Sequence, residues 1–232
     1  MWVVIVMYKI VEHNALFIVV DKAPGVSVHN ELADGSSRIG LFNRLKADFG
    51  IDLWPVHRLD KMTSGLIVMA KSAELAAQFG TLFEHRQIDK YYLAIAAGKP
   101  TKKQGVISGD MAKSRSGSYK LLRSHNNPAK TRFVSHSLLP GYRAYLLKPF
   151  SGKTHQLRVA LKSIATPILG DSRYGGKPAD RGYLHAYALG FELQGQHYAY
   201  VSPPSQGEYF TLLSSQLATT QWLKPFELAW GG

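Results

Sequence analysis

Residues 55–70 read PVHRLDKMTSGLIVMA, a polar stretch that leads into an apolar one. The apolar part, residues 65–70, predicts a short buried strand. A carboxylate beside an arginine stays ionised, which suits a nucleophile or an electrostatic stabiliser. The alternative is a surface turn with an incidental ion pair, since such pairs are common and mostly inert. The polar part includes two cation-capable side chains, one carboxylate and two hydroxyls that could carry chemistry: His57, Arg58, Asp60, Thr63 and Ser64.

Predicted helices and predicted strands both flank this stretch. Helical spacing predicts helices over residues 38–49 and 154–163, and Ser72 is the expected cap of a helix over 73–85. Residues 105–120 are expected to form an exposed hairpin. Without a regular strand–helix–strand rhythm, this pattern favours an α+β fold with a largely antiparallel sheet. The remaining predicted strands are residues 2–10, 17–21, 26–29, 91–97, 131–139, 142–149, 184–193 and 209–213.

The composition excludes several classes of protein. The absence of cysteine excludes disulfides, thiolate zinc sites and cysteine nucleophiles, and favours a reducing cytosol. No apolar run reaches the roughly 18–20 residues of a membrane span, and no secretory signal pattern is present. The histidines form no H-E-x-x-H motif and no close cluster with carboxylates. We therefore expect a cytoplasmic protein without a membrane partner and without a metal site.

The positive charge is concentrated in one segment. The chain of 232 residues has a formal net charge of +12. Residues 101–162 contain thirteen Lys and Arg residues and one acid, Asp110, so this segment alone accounts for the whole excess. A polyanion is therefore the first partner to expect.

A second chemical segment is residues 149–158, PFSGKTHQLR. Its Gly-Lys-Thr resembles part of a phosphate loop, but the upstream glycine of that pattern is replaced by Leu147, which argues against a nucleotide-binding P-loop. A helix N-terminus with Lys153 and Thr154 can still hold a backbone phosphate. Thr154 and Arg158 are four residues apart and share one face of the predicted helix.

The third segment is a tyrosine pair on a predicted strand. Tyr91 and Tyr92 must point to opposite faces, so that one can enter a cleft while the other packs. An aromatic ring beside a basic cleft is suited to stack on an unstacked base. The alternative for either residue is a core tyrosine with a satisfied hydroxyl.

Read in order, these segments resemble a known family. Residues 57–66, HRLDKMTSGL, resemble the catalytic motif of the RluA family of RNA pseudouridine synthases. Several ordered motifs over about residues 10–195 argue against chance agreement. The others are Lys22 and Gly25 of a K-P-x-G turn, Lys90, Tyr92, Ala94 and Gly98 of K-x-Y-x-A-x-x-x-G, residues 151–159 of T-G-R-T-H-Q-I-R-V, residues 167–175 of P-I-x-G-D-x-x-Y-G, and residues 184–186 of L-H-A.

The resemblance implies a pseudouridine synthase catalytic fold of the α+β class, with a bent, mainly antiparallel sheet flanked by helices and loops. We expect one catalytic domain over residues 1–232, without the separate S4-like RNA-binding domain of many relatives. The chain departs from the family pattern at Ala23-Pro24, where the two residues are exchanged, and after Phe191, where His-Pro is missing. These positions bear on loop geometry more than on chemistry.

The resemblance also implies roles for single residues. Asp60 corresponds to the essential catalytic carboxylate, Arg158 to the basic residue that pairs with it, and Tyr92 to the tyrosine that stacks on the target uracil. Leu157 would be an apolar wall of the pocket, and Arg58 would fill the place that a flipped base vacates. The further residues expected to contact RNA are His57, Thr63, Ser64, Lys153, Thr154, His155 and Gln156.

The implied reaction breaks the N1–C1′ bond of a uridine, turns the uracil and rejoins it through C5, and it needs no cofactor. Asp60 would attack C1′ or assist proton loss from C2′. The implied partner is a structured RNA, tRNA or rRNA, and no protein partner is implied. Two other functions remain open: a non-catalytic RNA-binding or chaperone module, which should survive loss of Asp60, and a glycosidase or base-excision enzyme, which would release free uracil.

Overall fold

In a computed structural model, residues 6–33, 35–217 and 220–230 are described. The chain divides into two compact units, one made of Met1–Asp89 and Leu189–Ser202, the other of Lys90–Ala188 and Pro203–Gly232. We call them unit 1 and unit 2. The predicted single catalytic domain stays a prediction.

Unit 1 has the strand order β1-β2-β6-β13, with β5 paired to β6 and β14 paired to β13, and a separate hairpin of β3 and β4. The pairs β1–β2, β2–β6, β5–β6 and β3–β4 are antiparallel. The elements are β1 (Tyr8–His13), β2 (Phe17–Lys22), β3 (Glu31–Ala33), β4 (Ser36–Arg38), α1 (Leu41–Phe49), β5 (Trp54–Pro55), β6 (Ser64–Ala70), α2 (Ala73–Glu84), residues 189–193 of β13 (Leu184–Leu193) and β14 (Gln196–Val201).

The core of unit 1 is aromatic. Phe17, Phe79 and Phe191 form a triangle with ring centroids 5.1–5.9 Å apart and edge-on contacts, the geometry that aromatic rings prefer. Every residue of β6 is buried, which explains why that strand reads as a continuous apolar run. Residues 56–63 lead directly into β6 and are therefore attached to a fully buried strand of this unit.

Unit 2 has the strand order β13-β7-β12-β11-β8 and a separate hairpin of β9 and β10. The pairs β7–β12, β11–β12, β8–β11 and β9–β10 are antiparallel. The elements are β7 (Asp89–Ala97), β8 (Gln104–Gly109), β9 (Met111–Lys113), β10 (Tyr119–Leu121), β11 (Ala129–Leu139), β12 (Tyr142–Pro149), α3 (Gln156–Ser163), residues 184–188 of β13 and α4 (Glu208–Leu217). Both units confirm the predicted α+β class with mainly antiparallel pairing.

Three predicted elements were wrong in kind. Residues 209–213 lie in α4, not in a strand, because the buried residues Phe210, Leu213 and Leu217 follow helical spacing. Residues 26–29 form no strand: the carbonyls of Ser27 and Val28 accept hydrogen bonds from the first N–H groups of α1 instead.

The third correction concerns the predicted hairpin over residues 105–120. Residues 104–109 are β8 and pair with β11, so only β9 and β10 form the hairpin. The first predicted strand is shifted, since β1 begins at Tyr8, and residues 2–5 lie outside the described residues. The α2 prediction is confirmed with its cap, because the hydroxyl of Ser72 accepts a hydrogen bond from the N–H of Leu75 at 3.2 Å.

Candidate active site

The loop of residues 56–63 in unit 1 is held by a buried lysine. Lys22 is fully buried, and its ammonium donates to the carbonyls of Ala23 at 2.9 Å, Val26 at 2.7 Å and Lys61 at 3.3 Å. The N–H of Gly25 also donates to the Lys61 carbonyl, at 2.9 Å. The predicted turn at residues 22–25 and the loop that carries Asp60 are therefore fixed to each other.

Asp60 is half-buried within this loop. Its backbone carbonyl accepts from the N–H of Thr63 at 2.9 Å, which closes a tight turn. The flanking residues Leu59, Thr63 and Ser64 are buried, at 5%, 2% and 3% exposure. The backbone of Asp60 thus lies in a short turn that is anchored at both ends.

Arg58 and His57 differ in their surroundings. Arg58 is exposed, whereas His57 is half-buried. The Nε2 atom of His57 accepts a hydrogen bond from the N–H of Val68 at 3.0 Å, and its ring packs against Phe83 with centroids 5.0 Å apart. His57 therefore ties the start of the loop to β6.

The two tyrosines of β7 differ as strand alternation requires. Tyr91 is buried, accepts a hydrogen bond from Lys148 at 3.0 Å, and packs against Phe226 and Trp230. Tyr92 is half-buried, and its backbone pairs with Leu147 of β12. Tyr91 is therefore the tyrosine that packs, and the role of Tyr92 as the stacking residue stays a prediction.

The segment before α3 is held by Gln156, which is 6% exposed. Its side-chain oxygen accepts from the hydroxyl of Ser151 at 2.8 Å and from the N–H of Lys153 at 3.1 Å. Its amide nitrogen donates to the carbonyl of Lys130 and the hydroxyl of Thr131. The amide is thus saturated by the protein itself, and Gln156 shapes the loop that presents Lys153 and the exposed Thr154.

Arg158 lies on α3 as one half of a buried ion pair. Its Nε and one terminal nitrogen donate to the two carboxylate oxygens of Asp171, at 2.7 and 2.8 Å. The side chains are 8% and 1% exposed. The guanidinium also lies over the ring of Tyr174, with its carbon 4.9 Å from the centroid. Two-point pairing and stacking together fix the plane of the guanidinium.

The residue before α3, His155, adopts a left-handed backbone conformation with φ of 57°, which residues other than glycine adopt rarely. Its Nδ1 atom is 2.8 Å from the hydroxyl of Tyr174. The same hydroxyl accepts from the backbone N–H of Tyr119 in β10 at 3.0 Å. Arg173, next to Tyr174, donates to the carbonyl of Ser116 at 2.5 Å.

Within each unit, the predicted site residues therefore gather around one feature. Unit 1 brings together His57, Arg58, Asp60, Thr63 and Ser64 on one loop, and unit 2 brings together Lys153, Thr154, His155, Gln156, Leu157 and Arg158 at the start of α3. The pairing of Asp60 with Arg158 stays a prediction.

Sequence reasoning missed the supporting residues Lys22, Asp171 and Tyr174. All three stood in recognised motifs, but a role for them was not assigned. A lysine inside an apolar strand and an aspartate directly after an apolar run were the available signals, because a charge in such a position needs a partner.

Among the residues that the structure describes, no group of three or more His, Asp or Glu side chains could hold a metal ion. Over the same part of the chain, no helix is long and apolar enough to cross a membrane.

The family model for RNA pseudouridylate synthase matches residues 16–163. The chain belongs to the RNA pseudouridylate synthase family. The predicted resemblance and the predicted isomerase class are thereby confirmed. The matched region contains the loop of Asp60, the strand of Tyr92 and helix α3 with Arg158.

Curated relatives agree with this assignment. An RNA pseudouridine synthase of Haemophilus influenzae is 45% identical over 87% of this chain and 90% of its own length. A tRNA pseudouridine synthase C of Yersinia pestis is 28% identical over 95% of this chain and 89% of its own length. A ribosomal large subunit pseudouridine synthase C of Rickettsia bellii is 32% identical over 72% of this chain but only 56% of its own length.

Solved structures show the same fold. Human RNA pseudouridylate synthase domain containing 1 superimposes with a TM-score of 0.71 and 24% identity, covering 92% of this chain and 95% of that one. The human domain containing 4 protein gives a TM-score of 0.69 at 25% identity. The predicted pseudouridine synthase fold is confirmed.

Proposed function

We propose that this RNA pseudouridine synthase isomerises particular uridines in structured RNA, either tRNA or rRNA, with Asp60 as the catalytic carboxylate. The observation that carries the proposal is the anchoring of the Asp60 turn. The backbone is bonded at Thr63 and Lys61, and the flanking side chains are buried. A carboxylate that must reach one atom of a sugar needs a fixed origin of this kind.

Asp60 acts on the ribose of the target uridine. The glycosidic bond from N1 to C1′ breaks, the uracil turns, and a new bond forms between C5 and C1′; C5 loses its proton and N1 gains one, so that the product is an isomer of uridine. The carboxylate either attacks C1′ directly or promotes loss of the C2′ proton to give a glycal. The two routes differ in whether a bond to the C2′ hydrogen breaks.

Tyr92 and Arg158 complete the proposed site. A half-buried tyrosine on a central strand offers a ring for the uracil, because base–aromatic stacking contributes about 1–3 kcal/mol per base. Arg158 supplies a positive charge whose orientation is fixed by Asp171.

RNA capture is assigned to the basic segment. The hairpin of β9 and β10 with the following residues displays Lys113, Arg115, Lys120 and Arg123, all exposed. Arginine and lysine contacts to phosphates position an RNA without reading its sequence. Extruding a uridine costs a few kcal/mol and least where it is already unpaired, so an accessible uridine in a folded RNA is the expected target.

The test is tritium release from total cellular RNA made with 5-tritiated uridine. We expect release by the wild type and none by Asp60→Asn, with RNA binding retained by the variant. The matched control is Asp52→Asn, which removes an exposed carboxylate of the same unit paired with Lys46 and should leave turnover near the wild-type level. Turnover by Asp60→Asn within a few-fold of wild type would refute the assignment of Asp60, and free uracil in the products would indicate base excision instead.

The two routes are separated by RNA made with 2′-deuterated uridine. Loss of the C2′ hydrogen predicts a primary isotope effect on single-turnover rates, whereas attack at C1′ predicts a rate ratio near one. Pseudouridine maps of total RNA from a deletion strain and its parent then identify the target RNA and position.

A further inference from the structure

One buried hydroxyl in unit 2 contacts two elements with different tasks. The side chain of Tyr174 is 2% exposed. Its oxygen accepts from the backbone N–H of Tyr119 in the basic hairpin and lies 2.8 Å from Nδ1 of His155, the residue before α3. A neutral His155 with its proton on Nε2 accepts the hydroxyl hydrogen at Nδ1. The hydroxyl of Tyr174 then donates one hydrogen bond, to His155, and accepts another, from Tyr119.

The ring of the same tyrosine lies against Arg158. The guanidinium carbon is 4.9 Å from the ring centroid, and Asp171 holds the guanidinium edge at two points. The backbone before Asp171 packs closely against Arg181, because a Cβ on Gly170 would lie 1.9 Å from the Arg181 carbonyl oxygen. Tyr174 thus touches a guanidinium that Asp171 holds at its edge.

The hairpin has a second tie to this support. Arg173 donates to the carbonyl of Ser116 at the tip between β9 and β10. The ring of Tyr119 also packs edge-on against His155, with centroids 5.6 Å apart. The backbone that carries Lys113, Arg115 and Lys120 is therefore connected with α3 through residues 173–174 and His155.

We propose that Tyr174 is a positioning residue that couples the RNA-binding hairpin to Arg158, so that RNA held by the hairpin aligns the guanidinium for the reaction. This rests on the proposed function. The hydroxyl fixes the hairpin relative to α3, and the ring fixes the plane of the guanidinium. Neither group contacts the substrate, and both act through Arg158.

The variant that isolates the hydroxyl is Tyr174→Phe, because it keeps the ring under Arg158. The matched control is Tyr145→Phe, which removes an equally buried hydroxyl of unit 2, bonded to Thr166 at 3.0 Å. With enzyme in excess over tritiated RNA, we expect the single-turnover rate of Tyr174→Phe to fall by about tenfold to a hundredfold. The control should stay within a few-fold of wild type at similar thermal stability.

If the hydroxyl of Tyr174 were only structural, its loss could also slow the reaction by loosening the fold. A double-mutant cycle separates this case from coupling. At saturating RNA, Lys120→Ala should lower the rate in the wild-type background and have no further effect in Tyr174→Phe. If the fold-reductions in rate caused by Lys120→Ala and Tyr174→Phe multiply in the double variant, the coupling is overturned. A Tyr174→Phe rate equal to that of Tyr145→Phe would overturn it as well.

Amide hydrogen exchange tests the coupling between hairpin and helix without a measurement of catalysis. In the RNA-free protein, exchange at Tyr119 should accelerate in Tyr174→Phe and not in Tyr145→Phe. Added RNA should protect α3 in the wild type but not in Tyr174→Phe; equal protection in both would overturn the proposal. If the wild type releases no tritium, the proposed function fails. The exchange difference then still decides whether the hydroxyl links hairpin and helix.

Discussion

Two buried cationic side chains hold the backbone and side chains around them in the candidate site. The protein supplies their hydrogen bonds in different ways. Lys22 has its ammonium among three backbone carbonyls, whereas Arg158 meets the carboxylate of Asp171. A buried charge is tolerated only when its hydrogen bonds are supplied by the protein. Lys22 therefore fixes the backbone segments that supply its carbonyls, and Arg158 fixes the side chain of Asp171.

We predict that Lys22→Met destabilises unit 1 and lowers activity. The methionine fills the space but leaves the carbonyls of Ala23 and Val26 without the ammonium, at a cost of about 1–3 kcal/mol for each unsatisfied group. Urea unfolding and tritium release measure the two effects. Lys71→Met is the control with a partly buried lysine bonded to one carbonyl, that of Asn14. We expect Lys71→Met to lose less stability and less activity than Lys22→Met. Equal losses in the two variants would contradict the role given to Lys22.

Asp171→Asn should destabilise the protein by about 3 kcal/mol, because removing one partner of a buried ion pair leaves the other charge in an apolar setting. The amide NH₂ would also face a guanidinium N–H. Glu227→Gln removes the carboxylate of an exposed pair with Lys224, and pairs of that kind contribute little. Urea unfolding of both variants tests this, and similar losses would argue against a structural ion pair at Asp171.

At the scale of elements, the sequence was most informative where apolar runs were long and bounded. β6, β11, β12 and β13 were predicted within a residue or two of their observed bounds. α4 was missed because Tyr-Phe-Thr-Leu-Leu is a short apolar run, and such runs fit a strand or a buried helix equally well. Val26 and Val28 are buried as in a strand, but the carbonyls of Ser27 and Val28 accept hydrogen bonds from the first N–H groups of α1.

The candidate site was predictable for a different reason. Motif order identified the residues that bear chemistry, because charged and aromatic residues beside buried strands stand out in the sequence. The contacts among Arg158, Asp171, Tyr174 and Tyr119 join segments up to 55 residues apart. Such tertiary contacts have no local signal, so spacing alone could not reveal them.

Strand β11 of unit 2 contains a histidine that should make the free energy of unfolding depend on pH. The ring of His136 in β11 lies 4.2 Å from that of Trp222, and its Nε2 atom is buried without a hydrogen-bond partner among the described residues. Burial first, and Arg143 second, lower the pKa of His136 from its ordinary value of 6.5. The neutral form is therefore favoured in the native state.

Below pH 6.5 the unfolded chain takes up a proton that native His136 resists, so the free energy of unfolding should fall as the pH drops from 7.5 to 5.5. His136→Gln should flatten this dependence, measured by urea unfolding with tryptophan fluorescence. His197→Gln, which changes an exposed histidine, should leave the slope as in the wild type. An unchanged slope in His136→Gln would contradict the assignment.

At the scale of the whole molecule, the charge distribution separates two tasks. Residues 101–162, which carry the entire net charge of +12, belong to unit 2, whereas Asp60 belongs to unit 1. Most of the basic side chains of this segment are exposed, including those of Lys102, Lys103 and Lys130. Exposed cations contribute through phosphate neutralisation, and the release of counterions makes that contribution depend on salt.

RNA affinity should therefore fall steeply with salt concentration. In a plot of log affinity against log salt, each hairpin cation that neutralises a phosphate contributes about 0.7–0.9 to the magnitude of the slope. Lys113→Ala and Lys120→Ala should each reduce the slope by that amount. Lys46→Ala, which changes a half-buried lysine of α1 outside the segment, should leave it unchanged. Equal slopes for all four proteins would show that the hairpin does not contact the RNA backbone, and the basic segment would then need another role.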